Sequence, residues 1–93
     1  MSYPKDEIAA PPSARTDAKS FELARLWIAD GSPHVALRVD LWDDPAAWGL
    51  LLADVARHIA VAYSQSAGHD AGDTLERVLI GFRAEFESPP DVL

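Results

Sequence analysis

The sequence predicts a small α+β domain, with a β-hairpin over about residues 21–42 packed on two antiparallel helices over about 44–65 and 73–88. Three observations predict it. Two runs of apolar residues flank an Asp30–Gly31 turn signal, and the second run alternates strictly. From Trp48 onward, apolar residues recur at spacings of three and four. A second such run, from Leu75, is stopped by Ser88–Pro89–Pro90.

Residues 1–19 hold Pro4, Pro11, Pro12 and Ser13 among mixed charges, and neither the helical nor the strand period survives there. The expectation is a flexible N-terminal tail ahead of one α+β domain over 20–93. In the hairpin, Pro33 is expected to keep the return strand from starting early. A turn centred on Gly31 and Ser32 pairs Ile28 with Val35 and Leu26 with Leu37. That register gathers Leu26, Ile28, Val35, Leu37, Val39 and Leu41 on one face. The other face carries Arg25, Trp27, Arg38 and Trp42, with Arg25 directly opposite Arg38, an unfavourable pair unless an acid such as Asp40 or Glu22 intervenes. A lone hairpin is marginal, so helices are expected to cover one face.

Asp44 is a good N-cap for the first long helix, and Pro45 suits its first position, where a missing N–H costs nothing. Trp48, Leu51, Leu52, Val55 and Ile59 form its apolar stripe, and an end is expected near Tyr63 or Gln65. "SQSAGHDAG" reads as a polar loop, after which Asp73 caps the last helix with Glu76 three residues on. Leu75, Val78, Leu79, Phe82 and Phe86 make its stripe. The two stripes are expected to face each other and the hairpin, burying Leu26, Ile28, Val35, Leu37, Val39, Trp48, Leu52, Val55, Ile59, Leu75, Leu79, Phe82 and Phe86.

Composition narrows the function. There is no cysteine, which excludes disulfides, thiol catalysis and thiolate-bound metals. Eight Lys and Arg face fifteen Asp and Glu, for a net charge of −7. A phosphate-neutralising patch is not expected, so neither nucleic acid nor an anionic membrane is a favoured partner. No signal-peptide pattern and no long apolar span are visible, which points to the cytoplasm.

Asp54 and His58 are four apart and can touch on one helical face, as a carboxylate orienting an imidazole does in many triads. No nucleophile motif accompanies them, so a boundary histidine in a local pair is the plainer reading. His34, His58 and His69 lack metal-ligand spacing, and no cofactor motif is present. Leu50, Asp54, Arg57 and Val61 form a line opposite the apolar stripe. Two antiparallel copies of it would set Leu50 against Val61 and Asp54 against Arg57. Trp27, Trp42, Arg25 and Arg38 are a second contact candidate, since Trp and Arg are enriched at binding hot spots. The expectation is a non-enzymatic module for an unknown protein partner or a weak homodimer, with contacts from Arg25, Trp27, Arg38, Trp42, Leu50 and Arg57. The alternative is a small-molecule or catalytic domain with Asp54 and His58 in a pocket.

The segments "WIADG", the strand ending "LW", "DPAAWG", "LADVARHIA" and the closing F-x-x-E-x-E-S-P span roughly residues 21–91. In these the chain resembles the DUF5076 family of small proteobacterial proteins. The resemblance implies a bacterial source, a cytoplasmic location and one compact domain. The family's function is unknown, so it implies no activity and no catalytic residues.

Overall fold

The computed structural model describes residues 6–88. The elements run α1 (Pro12–Thr16), β1 (Ala24–Ala29), β2 (Ser32–Leu37), α2 (Ala46–Ala67) and α3 (Ala71–Glu87). They fall into two compact units divided between Val39 and Asp40. No helix among the described residues is long and apolar enough to cross a membrane.

The first unit holds α1 and the hairpin. Residues 1–5 of the expected tail lie outside the described residues. Within the rest of it, α1 is a helical turn that the apolar period does not announce. Its start is chemical instead: Pro12 stands in the first turn, where φ is already set and no N–H is needed. The Ser20 hydroxyl then donates to the Ala14 carbonyl at 2.7 Å.

The two strands pair antiparallel, with Leu26 opposite Val35, Arg25 opposite Ala36 and Ala29 opposite Ser32. The turn is therefore Asp30–Gly31, one residue earlier than the expected centre. Both residues have positive φ, 52° and 76°. That is the two-residue turn whose twist matches the strands, and Asp-Gly is among its preferred pairs. The register moves by two residues, so Leu26, Ile28, Val35 and Leu37 share a face as expected, but β2 ends at Leu37, which leaves Arg38, Val39, Leu41 and Trp42 beyond the strand and removes the opposition of Arg25 and Arg38. β2 also begins earlier than expected, with Pro33 inside it opposite Ile28. In a two-residue hairpin this is the non-hydrogen-bonded pair, so the absent N–H of Pro33 falls on the open edge and costs the ladder nothing.

The second unit is a helical hairpin. α2 begins at Ala46 with Pro45 at the N-cap position, one residue later than expected, and the Asp44 carboxylate accepts from the Ala46 N–H at 2.9 Å. α2 runs to Ala67, two to four residues past the expected end at Tyr63 or Gln65, and Gly68, at φ 72°, closes it with its N–H on the Ser64 carbonyl. The expected polar loop shrinks accordingly. The cap of α3 is Asp70, whose carboxylate accepts from the Asp73 N–H at 2.9 Å. Asp73 is thus the acidic residue inside the first turn and not the cap. Both make sense at a helix N-terminus, and the earlier one is the first that can reach a free N–H.

The expected core is largely open. Among the described residues only Ala60 is buried, at 3% exposure. Ala56, Ala60 and Ser64 are the covered positions in the middle of α2, and Leu75, Val78 and Leu79 are the half-buried ones on α3. The helices therefore meet along a line of small residues on α2, rotated about 100° around its axis from the apolar stripe. Small side chains let the backbones approach, and the larger stripe is left to the side. Leu52, Val55, Ile59, Phe82 and Phe86 are exposed. So are Leu26 and Ile28, at 73% and 75%, with Val35, Leu37 and Val39. A two-stranded sheet has no second layer of its own, so its apolar face stays bare unless another layer is supplied.

Candidate functional site

On the hairpin unit, Arg25 and Arg38 are brought together through Glu22 and not through each other. The Arg25 Nε donates to both Glu22 carboxylate oxygens at 2.9 Å. Its Nη1 meets Glu7 at 2.6 Å. Hydrogen bonding to Glu22, reinforced by Glu7 and only partly opposed by desolvation, holds the Arg25 guanidinium above its ordinary pKa. It is a permanent cation. The Arg38 Nε donates to the Glu22 backbone carbonyl at 3.0 Å, and its guanidinium stands 5.7 Å from the Phe21 ring centroid, a cation–π distance. The acid expected between the arginines is thus Glu22, supported by Glu7, which sequence reasoning did not single out. No spacing signal links residues 7 and 25.

Trp27 is half-buried and pairs with His34 across the strands. An open groove of about 820 Å³ on this unit is lined by Glu7, Ile8, Phe21, Arg25, Leu26 and Trp27, with neighbouring residues. Trp42 is not part of this constellation. β2 ends at Leu37 and Trp42 belongs to the second unit. There its ring packs edge-on against Trp48, with centroids 5.4 Å apart at 80°.

On α2, His58 and Asp54 do touch. The His58 Nδ1 lies 2.8 Å from the Asp54 backbone carbonyl and 3.3 Å from its carboxylate. A protonated Nδ1 can donate to both. The His58 side chain is 77% exposed and that of Asp54 58%, more open than the half-covered boundary the helical wheel suggests. Neither residue lines the groove on the hairpin unit. The pair therefore has orientation but no enclosing wall, and in open solvent it lacks the desolvation that tunes catalytic pairs. Leu50 and Val61, flanking Asp54 and Arg57, are both exposed. Among the described residues, no group of three His, Cys, Asp or Glu is arranged to hold a metal ion.

The dominant surface feature is apolar. On α2, Trp48, Leu52, Val55, Ile59 and Tyr63 share one side, with Trp48 half-buried and the rest exposed. On α3, Phe82 and Phe86 continue the line of Leu75 and Leu79, and their rings touch at a centroid distance of 4.9 Å.

No curated protein matches the chain. A solved structure described as that of a candidate pyruvate dehydrogenase, from the photosynthetic bacterium Rhodopseudomonas palustrus CGA009, is similar to it. The two share 33% identity over 100% of this chain and 93% of that one, with a TM-score of 0.71. A family profile covers residues 7–90, nearly the whole sequence, and by that match the chain belongs to the DUF5076 family, a domain of unknown function.

Proposed function

We propose that this chain is a non-enzymatic protein-association module of the bacterial cytoplasm, whose apolar faces are completed by another polypeptide. The observation that carries the reading is the exposure of large apolar side chains on two faces, Leu26, Ile28, Val35 and Leu37 on the hairpin and Leu52, Val55 and Ile59 on α2. A chain gains little by keeping such side chains in water, since each loses roughly 1.5–3 kcal/mol of burial. The net charge of −7 favours a protein over a nucleic acid or an anionic membrane as the covering surface. Arg25, Trp27 and Arg38 at the hairpin and Trp42 ahead of α2 are the charged and aromatic contact candidates, and Leu50 and Arg57 are a separate candidate line on the opposite side of α2.

The His58–Asp54 pair is exposed, 77% and 58% by side chain, and lies outside the groove on the hairpin unit.

Oxidative footprinting tests the reading. Leu26, Ile28, Val55 and Ile59 are compared in a sample dilute enough to be a single chain and in one concentrated or mixed with a partner. Reactive side chains when dilute, protected when associated, is the expected result. Full protection in the dilute single chain would mean that the chain closes its own faces, and the reading would fall.

A further inference from the structure

Resting on that reading, we infer that the outer edge of β1 receives one extended, basic segment of a partner protein as a third strand beside the hairpin. The hydrogen-bond parity of the hairpin carries this. In an antiparallel pair, residues bonded across to the neighbour alternate with residues whose backbone groups point away from it. The Arg38 N–H donates to the Leu23 carbonyl at 2.9 Å, which continues the pairing of Arg25 with Ala36 and of Trp27 with His34. The odd positions of β1 are therefore the ones bonded to β2. The N–H and C=O groups of Ala24, Leu26 and Ile28 point to the outer edge, and among the described residues they have no hydrogen-bond partner.

The two edges of the hairpin differ. β2 carries Pro33, whose missing N–H falls on its outer edge, a block against strand addition. β1 carries no proline, so its row of donors is complete. An unblocked edge is the place where an extended peptide adds to a sheet, with affinity drawn from main-chain hydrogen bonds.

The space in front of that row is shaped for one strand. The groove of about 820 Å³ takes in all of residues 24–28 of β1 and, among the described residues, none of β2. A groove over one face of the hairpin would draw alternate residues from both strands. Consecutive residues from a single strand mean that it runs along the edge. Its far wall is residues 6–11, bridged to β1 by Glu7 and Arg25. That wall favours a single extended segment over the two-stranded hairpin of a second copy. The charged groups lining the groove are Asp6, Glu7, Glu22 and Arg25, three carboxylates against one guanidinium. Arg25 is already held by Glu7 and Glu22, so the excess is negative and selects a segment bearing Lys or Arg. Leu26 and Ile28, at 73% and 75% exposure, offer apolar contacts to alternate side chains of the same segment.

A blocked hexapeptide of alternating Val and Lys, titrated to millimolar concentration into the full chain, is the probe. Amide NMR shifts are expected to saturate at Ala24, Leu26 and Ile28. Two analogues test the pairing, one N-methylated at its valines and one at its lysines. The analogue whose methyl groups face β1 is expected to bind at least roughly tenfold more weakly than the other, the scale of one or two lost hydrogen bonds. A Val–Glu hexapeptide is expected to lose a similar factor through charge. Leu26→Pro, which gives β1 the block that β2 already has, is expected to weaken the Val–Lys peptide at least roughly tenfold. The analogues need no variant, so they decide the matter if Leu26→Pro disturbs the hairpin. No saturable shift at these amides, or equal affinity for the two analogues, would overturn the edge as a docking site. Equal binding of the Val–Glu peptide would overturn the basic occupant. Shifts at the same amides that grow with protein concentration alone would put a second copy there instead. Each of these failures leaves the association reading standing, because footprinting of Val55 and Ile59 tests it on a different element.

Discussion

Trp42 packs edge-on against Trp48, with ring centroids 5.4 Å apart and planes at 80°. The contact joins the chain entering α2 to the first full turn of that helix. It lies just across the hydrogen bond from the Ala46 N–H to the Asp44 carboxylate, so an aromatic clasp and that bond fix the same end. Edge-to-face pairs contribute about 0.5–1.5 kcal/mol beyond the area they bury. Trp42→Ala is expected to lower unfolding stability by about 1–3 kcal/mol, measured by urea denaturation, and Trp42→Phe to recover a good part of the loss. Equal losses in the two variants would mean that the ring contact contributes nothing specific.

Gly31 and Gly68 sit at φ 76° and 72°, and an added Cβ at either would meet nothing within 4 Å. Any cost of Gly→Ala at these positions is therefore conformational and not steric. About 1 kcal/mol is expected at each. The signatures should differ. Gly68→Ala acts on the end of α2 and should fray Ser64–Ala67 in amide exchange. Gly31→Ala acts on the hairpin turn and should leave α2 unchanged. A substitution that proves neutral would show that the turn shifts to another conformation in solution.

The start of α3 distinguishes two aspartates that sequence alone confuses. Asp70 accepts from the Asp73 N–H, and its backbone carbonyl also takes the Thr74 hydroxyl at 2.9 Å. Asp70→Ala is expected to cost about 1 kcal/mol, the ordinary value of an N-cap. Asp73→Asn removes only a charge near the positive end of the helix and should cost a few tenths of that scale, roughly 0.3–1 kcal/mol at low salt and less at high salt. The reverse order of the two losses in thermal unfolding would restore Asp73 as the cap.

Local chemistry explains which parts of the fold were legible. The hairpin was readable because Asp-Gly and strict alternation are short-range signals, and a register error of two residues leaves both faces intact. Both long helices were readable from their periods. Their facing sides were not, because hydrophobicity marks what wants burial and does not say which neighbour supplies it. Ala56 and Ala60 carry little hydrophobic weight, yet they form the line that packs, while Val55 and Ile59 stay open. The candidate sites followed the same rule. Asp54 and His58, four residues apart on one helix, met as the spacing requires. Glu7 and Arg25 met across 18 residues, where no periodicity reaches.

That last contact makes its own prediction. Glu7 ties residues 6–11 to the hairpin through Arg25, and Glu22 holds the same guanidinium from the other side. Both carboxylates are substantially exposed, so salt screens them, and the tie should be conditional. Arg25→Gln is expected to speed amide exchange at Ile8–Ala10, and 0.5 M salt should do the same to the wild type. Glu7→Gln should reproduce the effect, since it removes the contact that reaches this segment. Glu22→Gln should reproduce it only in part, because Arg25 keeps Glu7 but loses the bidentate hold that orients its Nε. Sensitivity to ionic strength without sensitivity to Glu7→Gln would place the anchor elsewhere in the segment. Exchange at the unprotected rate in wild type would mean that the pair forms without ordering the backbone.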